Sequence, residues 1–438
     1  MAQANEAQVI VVGAGMSGLT AAAELQRKGI SVLLLEASPR VGGRAYSVDT
    51  TLGSHIDLGG QWIGRGHHRI EALLKRAGGT KYKTFTRGLP LIINKNKVVR
   101  LYSPSAILAI ASLVLVELAS RIHIPKRWLA LTVDKIIAAW VPLEVARQLL
   151  RLVIATTSTA ELENFSLYAY AHSARKNGGL LEMTGTEGGA QDSLSVEAMG
   201  AIASMLAQEL SGKLLTNTPV TKISQSSTDS RVTVTAAGRQ FHAAQVIIAV
   251  PPPMQKSITF DPPMPTERQS LQKNTRMGIV YKSLAIYDKP FWRDGLGGEF
   301  LVLDDPSFAV FDTSSPGGPG HLCFLVASTP ARQLDKLNSK SRQELLLSRL
   351  APFLGREVMQ PTEWHEKAWH EDEFCGGGYM AFGVSGTTDG LFPMSHKAVG
   401  RVHWAGTETA EEHPGYLEGA VQAGERAAEE VVQALGSK

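Results

Sequence analysis

Residues 9–12 (Val-Ile-Val-Val) form a short apolar run that ends in closely spaced glycines, after which apolar residues recur at helical spacing through Leu19, Ala22, Ala23 and Leu25 up to Gly29. A second apolar run, residues 31–35, stops at Glu36. Short unbroken apolar runs suit strands buried on both faces, and the helical period between them suits an amphipathic helix. The order strand, glycine turn, helix, strand predicts a βαβ unit in a parallel sheet.

From about Leu89 to Leu210 apolar residues fall at helical spacing, punctuated by Pro104, Pro125 and Pro142, and the stretch reads as mostly helical. Its last helix is expected over 194–210, with Asp192 or Ser193 as N-cap and Gly212 just past the end. Strand patterns return at 220–223, 231–236 and 245–250, the last stopped by Pro251, Pro252 and Pro253. A mixed segment over 277–393 holds alternating strands at 279–287 and 321–327. Residues 402–405 then read as a strand and 417–435 as a closing helix. No period on the scale of about 20 to 50 residues recurs, which excludes a repeat architecture.

Length and composition add bounds. A chain of 438 residues has room for two domains, or one elaborated α/β unit, around a deep cofactor site. Hydrophobic residues at 44% and charged residues at 19% exclude a disordered or multi-span membrane chain. A net charge of +3 without long basic runs leaves no electrostatic footprint for nucleic acid, and none is expected as a partner. Two cysteines, Cys323 and Cys375, make no disulfide framework, and residues 1–8 carry no secretory signal, so a cytoplasmic protein is expected. The apolar run 106–118 is broken by Ser112 and Glu117 and falls short of the roughly 20 residues of a spanning helix. A buried or partly exposed helix is expected there, with no transmembrane anchor. No metal site is expected.

The candidate chemistry starts at Gly13-Ala14-Gly15-Met16-Ser17-Gly18, between the first strand and the first helix. Gly13 permits a tight turn, Gly15 lets a pyrophosphate approach the backbone, and Gly18 lets helix and strand pack closely, with the helix N-terminus facing the anion. Glu36, 23 residues after Gly13, is placed to accept from a ribose hydroxyl. Arg40-Val41-Gly42-Gly43-Arg44 adds glycines for close approach and cations near a pyrophosphate, and the pair Gly59-Gly60 before Gln61 and Trp62 suits a flat ligand. Lys282 sits inside an alternating apolar strand, where a lysine either turns outward to solvent or is buried with partners. Tyr379 follows Gly376-Gly377-Gly378 and Tyr416 follows Pro414-Gly415.

These motifs, with Asp57-Leu58-Gly59-Gly60-Gln61-Trp62, Ala405-Gly406-Thr407-Glu408-Thr409 and Gly415-Tyr416-Leu417-Glu418-Gly419-Ala420, resemble the flavin amine oxidase family, monoamine oxidases especially. The resemblance runs over nearly the whole chain and is strongest at its two ends and around Lys282. It implies an α/β fold in which a Rossmann-type FAD-binding domain is assembled discontinuously from 1–85, 195–272 and 394–438. A mixed-sheet and helical substrate domain is implied over 86–194 and 273–393.

By the same resemblance Glu36 binds the adenosine ribose, Val220 contacts adenine through its backbone, and Ser17, Arg44 and Glu408 neighbour the pyrophosphate and ribityl chain. Gly43, Gly60, Gln61, Trp62, Gly406 and Leu417 complete the cofactor site, and Trp369 packs close to the isoalloxazine. Lys282 resembles the lysine that reaches flavin N5 through a water, and Tyr379 and Tyr416 resemble two parallel rings caging the substrate nitrogen. The animal monoamine oxidases attach the flavin to a cysteine directly before the first cage tyrosine. That position here is Gly378, and Cys375 falls at a non-attaching one, so FAD is expected without a covalent bond. The chain also stops three residues after Leu435 without an apolar tail.

The implied reaction takes a small-molecule amine and molecular oxygen to an imine, hydrolysed to aldehyde and ammonia, and hydrogen peroxide; a homodimer is left open. An L-amino acid oxidase, which clamps a carboxylate with an arginine such as Arg65, Arg87 or Arg175, stays open on the same fold. So does a polyamine oxidase, for which Glu161, Glu163, Glu182 and Glu187 are available. A carotenoid or protoporphyrinogen desaturase-like flavoprotein shares the N-terminal fingerprint, without an expected need for both Lys282 and the tyrosine pair.

Overall fold

The computed structural model describes residues 5–210, 212–226 and 230–436. The first apolar runs become the strands Glu6–Val12 and Val32–Leu35, joined by the helix Met16–Arg27. Val9, Ile10 and Val11 are completely buried, as a central strand covered on both faces requires. Val32–Leu35 and Arg239–Ile248 pair parallel with Glu6–Val12 on its two sides. Leu214–Leu215 and Val402–Trp404 extend the parallel part, and the antiparallel strands Val220–Gln225 and Val232–Ala236 complete the sheet with Thr259–Asp261, eight strands in all.

A second sheet of seven strands is built from Leu91–Asn94, Lys97–Val98, Glu299–Val302, Phe308–Asp312, Gly320–Ala327, Val280–Tyr287 and Glu363–Ala368. It is antiparallel except where Glu299–Val302 runs parallel to Leu91–Asn94. One face packs on the helix Ser339–Leu354, burying Leu346, Leu347 and Leu350. The other face, with Leu284, Ile286, Cys323 and Leu325, packs on Ile56 and Leu58 of the first segment. The molecule is therefore α/β with mixed sheets, and the two sheets meet across residues 56–62.

Two glycines fix how closely helices approach. A Cβ on Gly18 would lie 1.9 Å from the Gly13 carbonyl oxygen, and one on Gly424 would lie 2.4 Å from that of Ser17. Only glycine lets Met16–Arg27 touch both its strand and the closing helix Leu417–Gly436 at this distance.

One expectation needs correction, and another, the partly exposed helix over 106–118, is met. The helix expected over 194–210 is Gly200–Glu209, and Ser193–Ser195 is a strand paired with Lys81–Lys83. Asp192 and Ser193 do not cap it. The cap comes from far along the chain: the Asp57 carboxylate accepts from the Met199 N–H at 3.0 and 3.1 Å, and Ser47 Oγ accepts from the Gly200 N–H at 2.8 Å. The apolar run 106–118 lies in an 18-residue helix, Pro104–Arg121, which by length and composition alone could cross a membrane. It is largely exposed, with only Ala106, Ala109, Glu117 and Ser120 buried.

Candidate active site

A cavity of about 780 Å³ runs between the two sheets, from the first glycine turn to the faces of Tyr379 and Tyr416. At the near end Gly13 takes φ +97° and donates its N–H to Leu35 O at 2.8 Å, which folds the chain back over the sheet edge. No side chain caps the helix that begins after Gly15, so its first N–H groups are left to an anion. Gly15 and Gly43 face each other: a Cβ on Gly43 would lie 3.1 Å from the Gly15 Cα. Glu36 accepts from the N–H groups of Ala14 at 2.5 Å and Ser38 at 2.8 Å. Burial raises its pKa against those bonds and Arg40. The Glu36 carbonyl holds Thr218 at 2.8 Å, which brings Val220 to the same end of the cavity.

Midway, the Ser17 hydroxyl oxygen accepts from the Gly406 N–H at 2.9 Å, joining the first helix to the segment that precedes the closing one. Arg44 makes a bidentate pair with Glu408, at 2.7 and 3.3 Å, and donates to the Tyr379 carbonyl at 2.7 Å. Burial works against the Arg44 charge and Glu408 restores it, so the guanidinium stays cationic inside the protein. Glu408 itself does not line the cavity; it is 1% exposed and acts by holding Arg44. Gly18 is also set back from the cavity, in the packing contact described above.

At the far end Lys282 is 4% exposed and turned inward, which excludes the solvent-facing alternative. Its Nζ donates to Gly59 O at 2.8 Å and Gln61 Oε1 at 2.6 Å. Burial lowers its pKa, opposed by Cys323 and Asp57. Asp57 is in turn pushed up to about 6 by burial, against Lys282 and its hydrogen bonds. Gly60 faces Leu417, whose branched carbon would lie 3.4 Å from an added Cβ. Trp369 is fixed by its indole N–H donating to Leu58 O at 2.8 Å. The indole N–H of Trp62, another lining residue, is buried without a protein partner.

The two tyrosines reach the cavity from different elements. Tyr379 is positioned by Thr159, a residue without any sequence signal: Thr159 Oγ1 accepts from the Tyr379 N–H at 2.9 Å and donates to Gly378 O at 2.6 Å. Tyr416 is backed by His67, ring centroids 5.3 Å apart, and by His413. Burial raises both phenol pKa values, with Cys323 and Tyr416 adding for Tyr379 and Glu182 and Tyr170 for Tyr416, so both rings stay neutral.

His67 Nδ1 accepts from the Gly64 N–H at 2.9 Å, and burial, reinforced by His413 and His68, lowers its pKa from 6.5 to about 3. Its folded-state pKa lies below the unfolded one, so its contribution to stability is complete above pH about 6.5 and is lost as the pH falls toward 3. Urea midpoints should drop on acidification with a share of up to ~1.4 kcal/mol per pH unit from His67. His67→Gln should flatten that share; an unchanged slope would remove His67 from the titration.

The remaining lining separates the candidates for substrate recognition. Arg65, Arg87 and Arg175 are exposed and none lines the cavity. Glu161, Glu163, Glu182 and Glu187 are also absent from its wall. A carboxylate outside the nucleotide turns that does line it is Glu299, which accepts from Thr186 Oγ1 and whose pKa burial raises. It escaped the sequence reading because a glutamate at a strand start looks like any solvated edge residue. The uncapped helix, the glycine cradle at Gly15 and Gly43 and the unpartnered Trp62 N–H fit a long dinucleotide carrying a flat polar ring.

The chain is similar to known proteins of one family. The family model for flavin containing amine oxidoreductases matches residues 16–106 and 142–432. Flavin-containing amine oxidase A of Equus caballus is 31% identical over 451 residues, covering 98% of this chain and 85% of its own. Flavin-containing amine oxidase B of Homo sapiens is 29% identical over 455 residues, covering 99% and 87%. Cyclohexylamine oxidase from Brevibacterium oxydans IH-35A superposes with a TM-score of 0.93 at 27% identity, over 98% of this chain and 99% of that one. Wild-type putrescine oxidase bound to putrescine superposes with a TM-score of 0.88 at 26% identity, over the same shares, 98% and 99%.

Proposed function

Since the chain belongs to the flavin-containing amine oxidoreductases and its cofactor is FAD, we propose that it oxidises a small amine to an imine, which water converts to aldehyde and ammonia, with oxygen reduced to hydrogen peroxide. The observation that carries this reading is the convergence of Lys282, Tyr379 and Tyr416 on one end of one cavity. FAD supplies the redox chemistry, taking the electron pair of the amine α-C–H bond and passing it to oxygen.

The chain's own residues do the rest. Glu36 and Val220 hold the adenosine end, while Ser17, Gly43 and Arg44 serve the pyrophosphate. The neutral faces of Tyr379 and Tyr416 orient the amine nitrogen, and the apolar wall from Leu301 and Phe311 excludes water and favours the uncharged amine. Gly59 and Gln61 occupy two N–H groups of Lys282, leaving another to hold a water that moves a proton at the reacting end.

Non-covalent attachment is part of the proposal. Gly378 stands where an attaching thiol would be needed, and burial and Asp372 push the Cys375 thiol up to about 12, away from the reactive thiolate. Acid precipitation should therefore release all of the yellow colour to the supernatant; colour kept in the pellet would contradict it. Both cysteines are free thiols, which supports a reducing, cytoplasmic setting.

Glu299 favours one substrate reading over its neighbours, a diamine whose second ammonium reaches this carboxylate. Anaerobic titration with a monoamine, a diamine and an L-amino acid, followed by flavin bleaching, tests both levels. Bleaching by amines but not by the amino acid is expected, the diamine acting at the lowest concentration. No bleaching by any of the three would overturn the oxidase.

A further inference from the structure

We propose that the helix Pro104–Arg121 is a docking surface for an anionic lipid bilayer. Ile107, Ile110, Val114, Leu115 and Leu118 are 54, 46, 47, 67 and 49% exposed. Ile107, Val114, Leu115 and Leu118 share one helical face, with Ile110 at its border toward the buried Ala106, Ala109, Glu117 and Ser120. The inner side is held down: Glu117 accepts from the Leu180 N–H at 2.6 Å and pairs with Arg121, and Arg175 donates to Ser120 O. The last turns of the helix are thus fastened to the protein, with the apolar face turned out. Ile122 extends that face at 81% exposure, and Tyr102 stands before its start at 70%.

Charge decides what covers it. Between Lys95 and Arg127 the chain carries six cations, Lys95, Lys97, Arg100, Arg121, Lys126 and Arg127, all exposed, and one carboxylate, the buried Glu117. An apolar stripe flanked by basic residues at both ends matches the interface of a membrane with anionic headgroups. A second copy placed on the same face by two-fold symmetry would bring the cations of both copies together, while the one carboxylate of that segment, Glu117, is already paired with Arg121. Leu113 of the same helix lines the cavity, so docking would set one cavity wall against the lipid. This inference does not depend on which amine is oxidised.

The holoenzyme should co-sediment with vesicles of phosphatidylcholine containing phosphatidylserine, and much less with phosphatidylcholine alone or at high salt. Leu115→Asp, and separately Lys126→Glu with Arg127→Glu, should each weaken that partition by at least about tenfold. Both should retain bound flavin, since neither site touches the cavity. No partition into either vesicle, or equal partition into both, would overturn the proposal. So would an oligomer that Leu115→Asp splits into monomers with no vesicle binding, which would assign the face to a second copy.

Discussion

Tyr416→Ala should lower amine turnover by more than tenfold while leaving FAD bound. The ring lines the cavity and is backed by His67 at 5.3 Å and His413 at 6.4 Å, while the Thr407 hydroxyl donates to the Tyr416 carbonyl at 2.8 Å. Removing the ring leaves the amine free to tilt, and a displacement of about 1 Å at a reacting atom is worth on the order of 10²-fold in rate. Tyr416→Phe separates orientation from hydrogen bonding. A cage that acts through ring faces keeps most of its rate in the Phe variant, whereas equal losses in Phe and Ala would point to the hydroxyl. Unchanged kinetics in the alanine variant would remove Tyr416 from the site.

Lys282→Met should slow turnover by roughly 10²-fold, the scale of a lost proton-transfer group, with FAD still bound. Its deletion touches no part of the adenosine or pyrophosphate end, but leaves Gly59 O and Gln61 Oε1 without their donor. The local cost of those orphaned acceptors is on the order of 1–3 kcal/mol each and would lower stability in any reading. The discriminating readout is therefore the pH profile. Burial lowers the Lys282 pKa from its ordinary 10.5. The basic limb of turnover should lie below that value and disappear in the Met variant. A variant that loses stability but keeps both rate and profile would make Lys282 a structural residue only.

The places where sequence and structure part company follow a physical pattern. The turn at Gly13, the helix after Gly15 and the strand ending at Glu36 depend on backbone sterics and on apolar spacing within a few residues, so they were legible directly. The helix expected from Leu194 failed because the same apolar residues served a strand. Ser193–Ser195 found partners in Lys81–Lys83, and the helix cap came from Asp57, 142 residues before Met199. No local rule anticipates a cap supplied from that distance.

The site divides in the same way. Ser17, Arg44, Lys282, Tyr379 and Tyr416 stand in motifs whose residue types carry their chemistry, and the cavity collects all of them. Glu408 carried the same kind of motif signal, yet the fold set it behind Arg44 as a counter-charge. Thr159 and Glu299 had no signal at all. The first acquires its role by meeting Gly378 and Tyr379 across 219 and 220 positions, and the second by facing the cavity from a strand start.

By itself the sequence determined the βαβ unit and the nucleotide turn, and it singled out Lys282, Tyr379 and Tyr416 as candidates, because each rests on local sterics, periodicity or side-chain chemistry. Only the tertiary structure decided that Lys282 faces inward, that Arg44 is paired with Glu408, that Glu299 rather than Arg65, Arg87 or Arg175 lines the cavity, and that Pro104–Arg121 keeps its apolar face outside. Those outcomes depend on which distant surfaces meet, and burial and counter-charge come into being only when they do.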